Sequence, residues 1–156
     1  MKKRKYLPYL ISILIPLAVG GIAAFFTVKG MSFYKTQRKP WFTPPDILFP
    51  IVWTILHVLM GIGSAIIWKS DSPKKRPALK IYAIQLIVNF FWSVIFFGLH
   101  WYFIAFMWLI FLIILVIKMI KSFRSISSVA ANLQIPYLLW CFFAAILNFS
   151  VWFLNR

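Results

Sequence analysis

Acidic residues are nearly absent from this sequence, which has 2 Asp and Glu against 17 Lys and Arg and therefore a formal net charge of +15. The two acids are Asp46 and Asp71, and neither falls deep inside an apolar segment. Paired-carboxylate catalysis needs two acids in one site, and proton or sodium relays through a membrane need acids within it. The sequence therefore excludes both classes of function.

Metal-binding and nucleophilic residues are also scarce. The chain has 2 His and 1 Cys, and His57, His100 and Cys141 lie in separate segments, so they do not make a metal cluster of the usual kind. A single cysteine cannot form a disulfide within the chain. The sequence also lacks a Gly-rich phosphate loop and a nucleophile elbow. We therefore expect no metal site of the protein's own, and neither a conventional hydrolase nor an ion-coupled transporter.

Hydrophobic residues, in contrast, make up 63% of the chain and charged residues only 12%, whereas a soluble domain averages about 45–50% and about 25%. Five apolar runs are long enough for a bilayer core, which needs about 20 residues per helix. They cover about 7–28, 47–68, 79–99, 102–120 and 133–154. Because these runs are continuous rather than alternating, they predict helices and not barrel strands. The predicted fold is all-α, a bundle of five transmembrane helices that residues 1–156 form as a single domain.

The basic residues cluster at the ends of the apolar runs, where lipid headgroups and membrane topology explain them better than nucleic acid does. On the N-terminal side, residues 1–5, 69–80 and 118–124 contain four, five and three Lys or Arg. On the other side, the connector 29–46 contains four, the turn near residue 100 none, and the C-terminus one. The positive-inside rule therefore predicts a cytoplasmic N-terminus.

Two helices have distinctive compositions. Gly20 and Ala24 in the first run form a small-x-x-x-small pattern, which predicts close packing against another helix. The fourth run is rich in Ile, Leu and Phe and has almost no polar content, so we expect it to be the helix most exposed to lipid.

Aromatic residues account for 20% of the chain, and Trp53, Trp92 and Trp140 lie inside predicted helices rather than only at helix ends. A proline-rich stretch leads into the second helix, where Phe49, Trp53 and His57 recur at helical spacing and share one face. This face has two interpretations. It forms one wall of a pocket for a flat apolar ligand, or it consists of interfacial anchors and helix-packing residues.

A polar stripe runs through the third predicted helix, because Gln85, Asn89 and Ser93 are four residues apart. Buried amides need hydrogen-bond partners, so the stripe must face protein or a cavity. It either ties helices together or supplies the polar contacts of a ligand pocket. The fifth predicted helix has a face of residues four apart: Pro136, Trp140, Ala144, Asn148 and Trp152.

Three separated motifs resemble the TspO/translocator-protein family of tryptophan-rich sensory proteins. The first is W-x-x-P-P followed by F-P-x-x-W-T-x-L-x-x-x-M-G, from Trp41 to Gly61; the second is N-F-F-W-S-V-I-F-F-G, from Asn89; the third is P-Y-L-L-W, from Pro136. Together they cover nearly the whole chain. One departure is His57, where the family's tyrosine is expected. The cholesterol-recognition motif of animal members is also absent, because residues 147–156 contain no tyrosine.

The resemblance implies a receptor-like protein that binds protoporphyrin IX and other flat hydrophobic molecules, including benzodiazepine-type ligands, and promotes light-dependent oxidative breakdown of the porphyrin. The macrocycle is expected between Trp53 and Trp140, which would act as its oxidisable partners. Its carboxylates are expected to pair with Lys35, Arg38 and Lys39 of the connector. The further ligand-binding residues expected are Tyr34, Trp41, Pro44, Phe49, His57, Asn89, Trp92, Ala144 and Asn148.

Such a reaction would need light and oxygen but no bound cofactor. The residues leave a second function open, that of a non-catalytic binder, carrier or stress sensor for porphyrins and other hydrophobic ligands. The resemblance also implies a homodimer in a membrane, and we expect a bacterial cell membrane.

Overall fold

The computed structural model describes the backbone of residues 2–156 and the side chains of residues 5–156. Within these residues the helices are α1 (Lys2–Thr36), α2 (Leu48–Lys69), α3 (Lys75–Ser93), α4 (Tyr102–Arg124), α5 (Ser128–Asn132) and α6 (Ile135–Asn155). A π-helical turn, Val94–Gly98, extends α3, and this part of the chain contains no strand. Five helical segments are long and apolar enough to cross a membrane, with α5 and α6 forming the last of them. The prediction of an all-α, five-helix integral membrane bundle is therefore confirmed.

The first helix is longer than the sequence suggested. We expected it at 7–28, followed by a connector at 29–46, but α1 continues to Thr36 and the connector is correspondingly short. Basic residues were interpreted as the start of a loop, yet long basic side chains are compatible with a helix that emerges from the bilayer core. As a result, Tyr34 and Lys35 belong to the last turn of α1 and not to a lid.

Local contacts explain why the chain stays helical here. The hydroxyls of Ser32 and Thr36 donate to backbone carbonyls three residues earlier, at 2.8 and 2.6 Å. At Gly30, an added Cβ would collide with the backbone carbonyl of Phe97. Glycine therefore lets α1 approach the π-helical turn directly, and this approach holds the end of α1 against the bundle.

The π-helical turn closes this end of the bundle with aromatic side chains. Phe96 and Phe97 are consecutive, yet both are buried, with their ring centroids 4.7 Å apart. Tyr34 is fully buried against them, at 5.6 Å from Phe96 and 5.3 Å from Phe97. A π-bulge shifts the register of a helix locally, which allows two adjacent residues to face inward.

The connection between α3 and α4 is a tight turn. The amides of Leu99 and Trp101 donate to the carbonyls of Val94 and Ile95, at 2.9 and 3.2 Å. His100 has a φ of 58° in the left-handed region, which non-glycine residues rarely adopt. Burial lowers the pKa of the His100 imidazole, so the neutral form is favoured at pH 7.

The expectation that the fourth helix is the most exposed to lipid is wrong. In the most apolar stretch of α1 only 22% of residues are buried, compared with 39% in α4. α4 buries Leu109, Leu112 and Val116 and packs on both α3 and α6, whereas α1 packs chiefly on α2 and the π-helical turn. Lipid tails are as apolar as leucine, so composition could not distinguish a lipid-facing helix from a core helix.

Candidate functional site

A cavity of about 430 Å³ lies between α1, α2 and α3, within the range of about 300–1,000 Å³ typical of small-molecule sites. Its wall on α1 consists largely of small residues, including Gly21 and Ala24. The predicted close packing of Gly20 and Ala24 holds at Gly20, which lies against the His57 ring, but Ala24 is exposed and lines the cavity. An added Cβ at the neighbouring Gly21 would meet nothing within 4 Å. The missing side-chain volume on α1 therefore creates the cavity.

Trp53 is the tryptophan on the wall of this cavity, and it begins an aromatic cluster that extends away from it. Its ring centroid is 5.8 Å from that of His57, 6.2 Å from Trp92, and 6.3 Å from both Tyr137 and Trp140. Such separations are typical of interacting aromatic pairs. A ligand in the cavity would thus contact Trp53 directly and the remaining tryptophans only through it.

The expected sandwich of a macrocycle between Trp53 and Trp140 is not available in this structure. The two rings meet edge to face, at an interplanar angle of 89°. A flat ligand between two rings needs parallel faces about 7 Å apart, twice the optimal carbon–carbon contact distance. Trp140 instead packs against Phe49 and Phe143, at 6.0 and 5.2 Å, behind the cavity wall.

The polar stripe of α3 ties helices together, and part of it also lines the cavity. Asn89 lines the cavity, and its Nδ2 also donates to the Tyr137 hydroxyl on α6 at 2.8 Å. That hydroxyl in turn donates to Oε1 of Gln85 at 2.8 Å. Tyr137 therefore ties α6 to two positions of α3. Sequence reasoning assigned it no role, although a phenol in mid-membrane requires a polar partner.

A second tie lies next to the first. Nε1 of Trp92 donates to Oδ1 of Asn148 at 3.1 Å, and Nδ2 of Asn148 donates to the carbonyl of Tyr102 at 2.8 Å. Trp92 and Asn148 are buried, as is Ala144. These three residues were expected to contact ligand, but the structure places them in the core between α3, α4 and α6.

The connector between α1 and α2 is held to the end of α6 by one side chain. Asn155 accepts a hydrogen bond at Oδ1 from the Arg38 amide at 3.0 Å, and its Nδ2 donates to the Arg38 carbonyl at 2.8 Å. Farther along, Phe42 contacts Phe143 at 6.2 Å, and Pro44 is half-buried. Trp41, an expected ligand contact, is 95% exposed.

Two of the three basic residues expected to bind carboxylates, Lys35 and Lys39, have side-chain partners, and that of Lys35 is at the cavity mouth, the end of the cavity lined by Asp46. Nζ of Lys35 lies 3.9 Å from a carboxylate oxygen of Asp46, and Asp46 lines the cavity. Nζ of Lys39 lies 4.8 Å above the Tyr34 ring, a cation–π distance. Lys35 therefore contacts the cavity wall through Asp46.

Of the expected site residues, the structure brings four together on the cavity wall: Phe49, Trp53, His57 and Asn89. The others lie outside that wall: Tyr34, Lys35, Arg38, Lys39, Trp41, Pro44, Trp92, Trp140, Ala144 and Asn148.

Comparison with known proteins agrees with this architecture. Residues 12–153 match the model of the TspO/MBR family. The chain is 38% identical to the tryptophan-rich protein TspO of Archaeoglobus fulgidus over 145 residues, which cover 92% of this chain and 94% of that protein. It is 34% identical to the translocator protein of Sus scrofa, covering 94% and 89% of the two chains. It is also 30% identical to the tryptophan-rich sensory protein of Cereibacter sphaeroides, covering 82% and 80%.

The chain belongs to the TspO/MBR family. In this family member the cavity residues that sequence reasoning missed come mainly from α1, which carries none of the three family motifs. They include Thr27 and Met31, and Phe90 on α3 was missed in the same way. A signal was present for α1, since a run of small residues in a membrane helix leaves space as readily as it permits close packing.

Proposed function

We propose that this TspO/MBR family member binds a tetrapyrrole such as protoporphyrin IX in the cavity between α1, α2 and α3 and promotes its light-dependent oxidative breakdown. The observation that carries the proposal is the position of Trp53. It is a readily oxidised indole on the wall of a cavity of about 430 Å³ inside an apolar bundle. An apolar, flat ligand gains both burial and aromatic contact there.

The macrocycle would lie against one face of Trp53, opposite the small residues of α1, and not between two tryptophans. Its carboxylates would lie toward the mouth, where Lys35 now pairs with Asp46 at 3.9 Å. Exposed ion pairs of this kind contribute about 0–1 kcal/mol, so exchanging Asp46 for a ligand carboxylate costs little. We propose the same role for Arg38 and Lys39, whose side chains would have to turn toward the mouth.

The proposed chemistry uses light and dioxygen and no bound cofactor. The excited porphyrin would take one electron from the Trp53 indole, its closest donor, and become a radical anion. Trp92 and Trp140, whose rings lie within 6.3 Å of that of Trp53, would share the resulting indole radical cation. Dioxygen would add to the reduced macrocycle, and the extra electron would return to the oxidised tryptophan as both oxygen atoms bond across one carbon–carbon double bond of a methine bridge. Cleavage of that bond would leave two carbonyl groups, so that dioxygen is the oxidant consumed.

A second candidate function is a non-catalytic porphyrin binder, carrier or sensor. The small number of titratable side chains in the cavity favours it, since the described wall carries two, Asp46 and His57. Such a cavity suits retention of a ligand at least as well as acid–base chemistry on it. The names of two relatives, translocator protein and tryptophan-rich sensory protein, fit this function equally well.

The deciding experiment is an absorption time course of the purified protein with protoporphyrin IX, under illumination and in the dark. We expect a new product spectrum that requires light, oxygen and the protein, and that Trp53→Phe suppresses while porphyrin is still bound. Trp68→Phe is the matched control, because Trp68 lies 15 residues along the same helix, about 22 Å away. Binding without product would favour the second function. Absence of binding would refute both.

We also propose that the protein is a homodimer in a bacterial cell membrane with its N-terminus in the cytoplasm. The orientation rests on the distribution of Lys and Arg between the connectors. A reporter fused after Arg156 is expected to be active outside the cytoplasm, and cytoplasmic activity would overturn the orientation.

A further inference from the structure

Three oxidisable rings surround Trp53 among the described residues. Its ring centroid lies 6.2 Å from that of Trp92 and 6.3 Å from those of Trp140 and Tyr137. A positive charge left on Trp53 by an excited ligand would pass to the neighbour that stabilises it most. Trp92 is 4% exposed and lies outside the cavity wall, which carries Trp53. A charge on Trp92 would therefore be farther from the ligand than a charge on Trp53.

The indole N–H of Trp92 has a hydrogen-bond acceptor whose orientation is fixed. Nε1 of Trp92 donates to Oδ1 of Asn148 at 3.1 Å. On the other side of the same amide, Nδ2 donates to the carbonyl of Tyr102 at 2.8 Å. A carbonyl oxygen only accepts hydrogen bonds, so Nδ2 must face Tyr102 and Oδ1 must face Trp92. Asn148 is fully buried, and its oxygen therefore points at the Trp92 N–H before any charge arrives.

This contact stabilises an oxidised Trp92 more than a neutral one. Loss of one electron gives the indole a positive charge and makes its N–H a stronger donor. A hydrogen bond with an ionised donor is roughly twice as strong as one between neutral groups, and the low dielectric of a buried site strengthens it further. The Phe96 ring is stacked on Trp92 at 5.3 Å, with an interplanar angle of 23°, and adds the attraction between a cation and an aromatic face.

The other two neighbours of Trp53 lack such a contact. Nε1 of Trp140 is buried and has no hydrogen-bond partner in the part of the chain that the structure describes. A phenol such as Tyr137 gives up an electron readily only when its hydroxyl proton leaves at the same time. That hydroxyl donates to Oε1 of Gln85 at 2.8 Å, and an amide oxygen is too weak a base to remove the proton. Of the three rings, Trp92 therefore holds a positive charge most strongly.

We propose that Trp92 is the electron relay of the photochemistry and that Asn148 is the positioning residue that stabilises its radical cation. This inference rests on the proposed function and names the residue that carries the oxidised state. The excited porphyrin takes one electron from Trp53, and Trp53 regains one from Trp92, which becomes a radical cation and keeps its N–H proton. When dioxygen has added to the reduced macrocycle, the electron returns to Trp92. No external reductant is consumed, and Trp140 is not required as the partner of Trp53.

The test is flash excitation of protoporphyrin IX bound to the purified protein, without oxygen. Transient absorption follows the porphyrin radical anion and the tryptophan radical cation as they recombine. Because the relay holds the charge away from the porphyrin, we expect Trp92→Phe to shorten the lifetime of the radical pair by about tenfold, the change in population that one charge-assisted hydrogen bond produces. Porphyrin affinity should be kept, since Trp92 is not on the cavity wall. Trp140→Phe should have the lifetime of the parent.

Two variants of Asn148 separate its effect on the radical from its role in packing. Asn148→Leu leaves the Trp92 indole in place but removes the acceptor, so the lifetime should fall. Asn148→Asp keeps an acceptor oxygen at this position and should restore the long lifetime. Trp108→Phe is the matched control, because Nε1 of Trp108 also donates to a carbonyl, that of Val88 at 2.8 Å, but the ring contacts none of the three tryptophans of the cluster. Its lifetime should equal that of the parent.

The outcomes distinguish this inference from the proposed function. A Trp92→Phe variant with the parent lifetime, or a Trp140→Phe variant that loses it, would overturn the relay alone. If Trp92→Phe does not fold, Trp140→Phe and the two Asn148 variants decide the question in the same way. A parent that binds porphyrin but forms no tryptophan radical would overturn both the photochemistry and the relay and leave the binding function standing.

Discussion

Replacing Tyr137 by phenylalanine removes the hydrogen bonds between α3 and α6 without changing a residue of the cavity wall. The Tyr137 hydroxyl accepts from Asn89 and donates to Gln85, both at 2.8 Å. Phenylalanine fills the same space but leaves both amides without that partner. Asn89→Ala breaks one of the two bonds and also removes a group from the cavity wall.

The magnitude follows from two lost hydrogen bonds in a buried site. Interhelical hydrogen bonds in membrane proteins average about 0.6 kcal/mol and reach about 1.7, so two of them amount to about 1–3 kcal/mol. For a chain of this size about 2–4 °C of melting temperature corresponds to each kcal/mol. We therefore expect Tyr137→Phe to melt roughly 2–12 °C below the parent.

The assay is thermal unfolding in detergent together with porphyrin affinity. Tyr137→Phe should lose stability and keep most of its affinity, whereas Asn89→Ala should lose both. Tyr6→Phe is the matched control, because Tyr6 is 63% exposed and the same atom is removed. If Tyr137→Phe melts with the parent, the reasoning that the phenol ties these helices is refuted.

Four further outcomes are expected. Trp140→Phe should keep nearly full stability, because its buried Nε1 has no partner in the described part of the chain; it should slow photodegradation less than Trp53→Phe, and an equal loss would mean that Trp140 contacts the ligand. Neutralising Lys35, Arg38 and Lys39 should weaken the binding of porphyrin but not the binding of an uncharged aromatic ligand. Equal losses of affinity for both ligands would contradict the pairing of these residues with carboxylates. Asn155→Ala should speed release of bound porphyrin in stopped-flow measurements, since it removes both hydrogen bonds between the connector and Asn155 of α6; an unchanged rate would show that these bonds do not limit exit. His100→Asn should lessen the decrease in melting temperature between pH 7.5 and pH 5. The pKa of His100 is lowered in the folded protein, so the unfolded chain takes up the proton first and the stability of the parent decreases as the pH is lowered. Identical pH profiles of parent and variant would refute this.

The fold was predictable because its signal is physical and repeated along the chain. Each membrane span needs about 20 apolar residues, and the five runs supply them. The boundaries were less certain where two signals conflict. At residues 29–36 the basic side chains indicated a loop, whereas helical hydrogen bonding and the contact of Gly30 with the π-helical turn continue α1 to Thr36.

The site was predictable in part, because helical periodicity identifies which residues share a face but not what that face meets. Phe49, Trp53 and His57 share a face of α2, and all three line the cavity. The wall on α1 could not be predicted in this way. Its residues are small and apolar, and the space they leave depends on how far α1 stands from α2 and α3, which is a property of the bundle and not of one helix.

For Trp140 too, the sequence identifies the residues on the same helix face but not the residues that pack against that face. Its spacing places it on the same helix face as Ala144 and Asn148, and small side chains next to a large ring can leave a gap. However, the space beside it is filled, because Phe49 and Trp53 pack edge to face with Trp140, at centroid distances of 6.0 and 6.3 Å. Close packing of this kind is the rule in protein interiors, so a small residue beside a large one indicates a ligand site only where the structure leaves the space open. In this protein the open space lies on the other side of Trp53, toward α1. A bound ligand would therefore contact the Trp53 indole.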